Sequence, residues 1–304
     1  MPQKADCVLT GDFMFSKTLL ACGLGGIALA CAMPTPASAL AGNYKGETTV
    51  ACGQVITKSI KLANDLHNCP GNGLEVGAAN ITIDLNGHTI DGSGILRPFS
   101  GIDNSQAGSR PTGYSGVTIK NGTLTDFGTG VTLANGANRN VVQHILATVN
   151  GTGISVRNVD RPHINYSAAT GASVGIRLES VTNARVERNA ALYNVNGILV
   201  TGTSRGTVLY RNSVVNNARD GILVDPTVTN TRIDNNDANG NGTLFNEDGI
   251  DVDATDAATV IRNNRVRNNR DYGIEATPGV TDGGGNHASG NGNAAQCLNI
   301  ACTP

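Results

Sequence analysis

The feature that most constrains this chain is a short motif, Gly-(Ile/Val/Leu)-x-(Val/Leu/Ala), that returns every 22 to 29 residues. It stands at Gly73-Leu74-Glu75-Val76, Gly130-Val131-Thr132-Leu133, Gly153-Ile154-Ser155-Val156 and Gly175-Ile176-Arg177-Leu178. It continues at Gly197-Ile198-Leu199-Val200, Gly221-Ile222-Leu223-Val224, Gly249-Ile250-Asp251-Val252 and Gly273-Ile274-Glu275-Ala276. From Gly130 onward the steps are 23, 22, 22, 24, 28 and 24 residues, and Gly101-Ile102 marks an irregular coil before Gly130. A three-residue strand with two apolar side chains on one face cannot bury that face alone. Stacked in register on copies of itself, it forms a parallel sheet with neighbours ~4.8 Å apart.

A second pattern runs in phase. Asn189, Asn212, Asn236, Asn264 and Asn286 each close an aliphatic stretch, and five residues later come Asn194, Asn217, Asn241, Asn269 and Asn291. Asn86 and Asn121 extend the first of these series toward the N-terminus. Amides stacked at successive turns donate to one another, and Asn tolerates the left-handed backbone of tight corners. Outside Ser59–Asn68, a candidate N-terminal capping helix or strand, no stretch beyond the leader shows the period of a helix, so helical repeats are excluded. A left-handed hexapeptide solenoid would need a six-residue period, and a propeller would need larger repeats with aromatic signatures. The expected fold is all-β: a right-handed parallel β-helix of about nine to ten coils over residues 42–293.

Composition agrees. Aromatics are 4% and Trp is absent, too little to fill a thick globular core, whereas a solenoid needs only a thin aliphatic one. The net charge is −2 and no basic run occurs, so phosphate-driven nucleic-acid binding has no source.

Residues 1–39 read as an N-terminal extension and secretory signal peptide. Lys17 supplies the positive end, Thr18 to Ala32 a small-apolar stretch, and Ala37-Ser38-Ala39 an A-x-A cleavage site. Translation starts at Met1 or at Met14, and the apolar stretch is too short and Gly-rich to span a membrane. Leu29-Ala30-Cys31 partly fits a lipobox, which leaves acylation of Cys31 as an alternative. Secretion is the expectation, with periplasm or cell surface as variants.

Of seven cysteines, Cys7, Cys22 and Cys31 leave with the signal. The remaining four form two sequence-local pairs, Cys52 with Cys69 and Cys297 with Cys302, one at each end of the repeats. An even count in an exported chain favours disulfides, and residues 294–304 are then a clipped C-terminal tail. Zinc is the rival, but neither pair has C-x-x-C spacing or a nearby His pair.

The chain resembles bacterial secreted right-handed β-helix repeat proteins of the pectate-lyase-like superfamily. The resemblance rests on Cys52-Gly53 through Cys69, on Ile81-Thr82-Ile83-Asp84-Leu85-Asn86-Gly87-His88, and on the tail from Gly290-Asn291-Gly292-Asn293 to Cys302. It implies the fold and leaves the activity open, because that superfamily holds lyases, hydrolases, epimerases and a copper-maturation protein.

If the Ile and Val of each motif point inward, the x residue and the one after Val point outward. Successive coils then present Ser155 and Arg157, Arg177 and Glu179, Leu199 and Thr201, Leu223 and Asp225, Asp251 and Asp253, Glu275 and Thr277. Arg157, Arg177, Glu179, Asp225 and Glu275 are the candidate substrate contacts. Asp225, Asp251, Asp253 and Glu275 form an acidic cluster on three adjacent coils. Separations of ~6.6 Å along a strand and ~4.8 Å between coils suit a Ca²⁺. They suit equally a carboxylate pair for acid/base chemistry, with Asp248, Asp251 and Asp253 as catalytic candidates. Solubilising acids on a bare sheet are the third reading.

Asn246-Glu247-Asp248-Gly249-Ile250-Asp251 resembles the Asn-Thr-Asp-Gly-Ile-Asp motif of polygalacturonases, which implies carboxylate roles for Asp248 and Asp251. That family's later Asp-Asp, Gly-His-Gly and Arg-Ile-Lys elements are absent. Asp271-Tyr272-Gly273-Ile274-Glu275 is similar to a mannuronan epimerase element but lacks its His. The histidines, His67, His88, His144, His163 and His287, form no close-spaced ligand pair, and Met is absent after residue 33, so copper handling has no ligands.

Two functions follow as expectations. The first is a monomeric secreted module that binds extracellular or cell-wall polysaccharide, with an acidic polymer as partner, along its exposed sheet. The second is a calcium-assisted lyase or C5-epimerase for uronic-acid polymers, with Ca²⁺ as its cofactor.

Overall fold

A computed structural model of the protein describes residues 46–105, 112–245 and 247–304. These fall within one compact unit, Tyr44–Pro304. The expected signal segment, with Lys17, Cys31 and both candidate start methionines, lies outside the described residues, as does Asn246.

The unit is a right-handed parallel β-helix. Among the described residues its first sheet contains eleven strands, one per coil, from Gln54–Ile56 to Cys297–Leu298, which makes about ten full turns. The aliphatic motif residues stack directly on one another. Ile154 pairs with Ile176, Ile176 with Ile198, Ile198 with Ile222, Ile222 with Ile250 and Ile250 with Ile274. All are fully buried.

A second sheet runs from Ile60–Lys61 to Thr281–Asp282, and a third from Thr89–Asp91 to Cys302–Thr303. Two long strands, Thr118–Thr125 and Val141–Thr148, pass through the corner between these sheets and belong to both. Every pairing is parallel. The segment from Ser59 is strand, at Ile60–Lys61 with a bridge at Leu62, and so belongs to the first coil. No described helix is long and apolar enough to cross a membrane.

The core is thin. Ile83, Ile119, Val142, Ile164, Val186 and Leu209 fill it from the second sheet. The third sheet contributes smaller groups, including Ala147, Ala169 and Ala191. Small residues there answer a close approach of the first sheet's glycines. A Cβ built on Gly249 would lie 2.5 Å from Asn269 Nδ2 and 2.6 Å from the Gly273 carbonyl oxygen. No side chain fits, which is why the motif begins with Gly.

Both asparagine ladders form. Asn212 Oδ1 accepts the backbone N–H and the side-chain Nδ2 of Asn189, both at 3.1 Å, and the same double contact repeats to Asn286. The second ladder runs from Asn194 to Asn291 and ends on Gln296 Oε1. Asn86 and Asn121 are not rungs of the first. They occupy the adjacent left-handed corner position, with φ of 56° and 60°. The ladder instead passes upstream to Ser167, whose backbone N–H donates to Asn189 Oδ1 and whose Oγ accepts from Ile145 N. Disulfides join Cys52 to Cys69 and Cys297 to Cys302, so the two sequence-local pairs close the two ends.

Candidate functional site

The outward residues of the first sheet follow the expected register. Ser155, Arg177, Leu199, Leu223, Asp251 and Glu275 are successive partners in one column. Upstream the same column holds Glu75, Asp103 and Thr132, two acids and a hydroxyl that the motif itself marks at the x position. Arg157 pairs in register with Glu179, and Arg177 Nη2 lies 3.2 Å from Glu179 Oε2. Glu179 therefore offsets Arg177, and Arg157 is exposed.

Strict alternation fails at one place. In Thr152–Arg157 both Gly153 and Ile154 turn inward, and the pairing with the next coil skips the glycine. This local bend, shared by neighbouring coils, returns the residue before Gly to the same side as the x residue three positions later. Asp248 and Asp251 thus come together, and Asp220 from the previous coil joins them. Carboxylate oxygens of Asp220, Asp248 and Asp251 all lie within 4.8 Å of one another.

The converging trio differs from the expected set of Asp225, Asp251, Asp253 and Glu275. Of those four only Asp251 belongs to it, and the cause is the extra inward residue at Gly-Ile, which simple alternation omits. Asp225 and Asp253 lie past the ends of their strands, where Asp225 accepts the Thr201 hydroxyl and Asp253 is exposed. Glu275 is the register partner of Asp251 on the following coil. Of the three catalytic candidates, Asp248 and Asp251 sit in the trio and Asp253 beside it.

Asp220 and Asp248 are buried and each accepts a backbone N–H. Asp248 N donates to Asp220 Oδ1 at 2.9 Å, and Tyr272 N to Asp248 Oδ1 at 2.6 Å. Burial raises all three acids against the effect of those donors. Asp220 is pushed up to about 6, with Glu247 adding repulsion. Asp251 is pushed up to about 8, by burial first and then by Asp220, Asp253 and Glu275. Asp248 rises well above the carboxylate range, by burial and then by Asp251 and Glu275. A smaller acid pair stands near the N-terminal end of the same sheet. Asn72 Nδ2 bridges Glu75 Oε1 at 3.2 Å and Asp103 Oδ2 at 3.3 Å, and burial followed by Glu75 raises Asp103.

The three-carboxylate site can hold protons or a hard cation. Asp220 and Asp248 each have one oxygen engaged by a backbone donor, which leaves the other free for a metal. An all-oxygen, acid-rich donor set fits Ca²⁺ in loose geometry.

Comparison with known proteins gives the fold. The family model described as "Right handed beta helix region" matches residues 62–212 and 140–292. None of the curated proteins matches the sequence significantly. Among solved structures, the periplasmic alginate epimerase AlgG is similar at a TM-score of 0.51 and 15% identity, over 81% of this chain and 70% of that one. The Dettilon tailspike protein is similar at 0.51 and 14% identity, over 82% of this chain and 60% of the tailspike. XylC in complex with xylose gives 0.46 and 10% identity over 70% of this chain, which spans only 38% of XylC. With two overlapping family matches across its repeats and a stack of parallel coils to match, this chain belongs to the right-handed β-helix family.

Proposed function

We propose that this protein is an exported module that binds polysaccharide along the outer face of its first sheet. The observation that carries the reading is the unbroken register of eleven strands, which sets one outward residue per coil at a rise of ~4.8 Å. A polymer laid along the axis meets acids at Glu75 and Asp103, hydroxyls at Thr132 and Ser155, an Arg177–Glu179 pair, two leucines, and then Asp251 and Glu275. Export is supported by the two disulfides, which persist in oxidising compartments, and by the signal read in residues 14–39. The similarity in fold to an alginate epimerase supports a polysaccharide as the partner class.

A second reading, a calcium-assisted lyase or C5-epimerase for uronic-acid polymers, is favoured by the trio of Asp220, Asp248 and Asp251. A carboxylate whose pKa is raised toward 8 is a stronger base than an ordinary one, and its neutral form can donate a proton at neutral pH. Ca²⁺ held by the trio would supply positive charge to a uronate carboxylate.

One experiment separates the two. The protein lacking residues 1–39 is run in affinity gels cast with polygalacturonate, alginate or a neutral glucan, and the same mixtures are followed for unsaturated product and for C5 inversion by NMR. Binding predicts retardation by at least one polymer at physiological ionic strength, no product, and loss of that retardation in Ser155→Tyr, which blocks the face. Product that disappears in Asp248→Asn/Asp251→Asn overturns the binding-only reading. Absence of both retardation and product overturns both.

A further inference from the structure

The corner between the second and third sheets carries a left-handed residue on almost every coil. Asparagine takes this position at 86, 121, 235 and 263, where its short side chain suits the backbone. The four middle coils instead place His144, Tyr166, Arg188 and Arg211 there, at φ of 53°, 47°, 55° and 54°. Bulky residues are uncommon in this conformation, which crowds Cβ against the backbone. Four in succession in one column set this corner apart from the coils on either side, which use asparagine there.

These side chains are ordered along the axis. The His144 and Tyr166 rings stack with centroids 5.3 Å apart and planes 3° from parallel. The Arg188 guanidinium lies 5.3 Å from the Tyr166 centroid and donates to its hydroxyl, and Arg211 lies 5.0 Å from the Tyr210 centroid. Elsewhere on the second sheet the arginines are neutralised: Arg185 by Glu187, Arg232 and Arg262 by Asp234. Among the described residues Arg188 and Arg211 have no carboxylate partner, and both are exposed. Aromatic rings hold the two guanidiniums while leaving their charge open to a ligand.

We propose that this corner is a second docking surface, separate from the first sheet, for a linear glycan bearing carboxylates, lying parallel to the helix axis. Arg188 and Arg211 stand one coil apart, ~4.8 Å, a step comparable to one sugar of an extended chain. Each guanidinium can then take a carboxylate as a forked pair. The first sheet carries acids at Glu75 and Glu275 in its outward column, whereas this corner offers two guanidiniums without a carboxylate partner.

The test replaces the four residues by the one that the same column uses elsewhere: His144→Asn, Tyr166→Asn, Arg188→Asn and Arg211→Asn together. Binding to polygalacturonate is measured by affinity electrophoresis at low salt, with melting temperature in parallel. We expect at least tenfold weaker binding with an unchanged or higher melting temperature, while Ser155→Tyr on the first sheet keeps this salt-sensitive binding. Undiminished binding by the asparagine variant, or no binding by the parent protein, overturns the proposal. A lowered melting temperature with unchanged binding also overturns it, because the stack would then serve the fold alone. Stronger retention by a single-stranded oligonucleotide of equal charge overturns the assignment to a glycan. Loss of binding in Ser155→Tyr but not in the asparagine variant would leave the first-sheet reading standing and remove this one.

Discussion

Asn212 and Asn236 are joined twice: the backbone N–H and the side-chain Nδ2 of Asn212 both donate to Asn236 Oδ1 at 3.0 Å. The rung is completed by Asn212 Nδ2 donating to the Val186 carbonyl at 2.9 Å and by Asn212 Oδ1 receiving Asn189. Asn212→Leu keeps the branching but removes the acceptor of the buried Asn189 backbone N–H and the Nδ2 bonds to Val186 and Asn236, and leaves Asn189 Nδ2 only the Ile164 carbonyl. Each such group costs about 1–3 kcal/mol. A markedly lower denaturation midpoint is expected, and an unchanged one would show that the ladder contributes nothing.

The acidic trio makes stability depend on pH in a definite direction. Asp251 has an ordinary value near 3.8 when unfolded and is pushed up to about 8 when folded. Between those limits the folded chain holds a proton that the unfolded chain releases, so stability is complete below about pH 4 and declines as pH rises through 8. Asp248 acts in the same sense. In the presence of chelator the protein should melt at a higher temperature at pH 5 than at pH 8.5, and Asp251→Asn should flatten the difference. A melting temperature that rises across this interval contradicts the assignment.

The calcium-assisted reading carries its own requirement. A cation that binds only the folded trio raises the melting temperature as its free concentration increases. At pH 8.5, millimolar Ca²⁺ should raise the melting point of the parent protein and leave Asp248→Asn/Asp251→Asn unmoved. Equal curves for the parent in chelator and in calcium remove the metal from the second reading.

Gly249 offers a steric test. An alanine Cβ there meets Asn269 Nδ2 and the Gly273 carbonyl, neither of which can move without breaking the ladder or the sheet. Gly249→Ala should destabilise by about 3 kcal/mol or more, the upper range for overpacking. Gly71→Ala, where a Cβ would meet nothing within 4 Å, is the control and should melt like the parent.

The end clips are unequal. Cys52 and Cys69 are 17 residues apart and Cys297 and Cys302 only 5, so loop entropy assigns about 3 kcal/mol to the first and about 2 kcal/mol to the second. Alkylation without reduction followed by mass spectrometry should find no free thiol among the four. Cys52→Ser/Cys69→Ser should cost more stability in urea titration than Cys297→Ser/Cys302→Ser.

The fold was legible because each coil repeats the same local chemistry. An inward Ile above an inward Ile needs no long-range knowledge, and the outward column from Ser155 to Glu275 follows from period two. The site was half legible. Asp248 and Asp251 stand out through their motif, but their meeting depends on Gly249 and Ile250 both turning inward, which period two conceals. Glu75 and Asp103 obey the visible rule and needed only its extension upstream. Asn86 and Asn121 went astray because a ladder amide and a left-handed corner both favour Asn, one residue apart. The corner stack of His144, Tyr166 and Arg188 has no sequence signature, since its members share only a backbone conformation.

Gln296 stops the second ladder, and that small feature gives the rod a polarity. Every ladder Nδ2 points toward the C-terminal coils and every Oδ1 faces back, so the side-chain amides form two aligned wires that begin and end differently. A duplicated coil spliced among the C-terminal repeats keeps both wires continuous when it brings both asparagines, whereas a coil like that of Ser167 and Ala172 interrupts the amide-to-amide bonds. A coil appended at the far end must first displace Gln296 as the terminal receiver. Change in length by whole units is therefore easy in the interior and gated at the C-terminus, by a single glutamine.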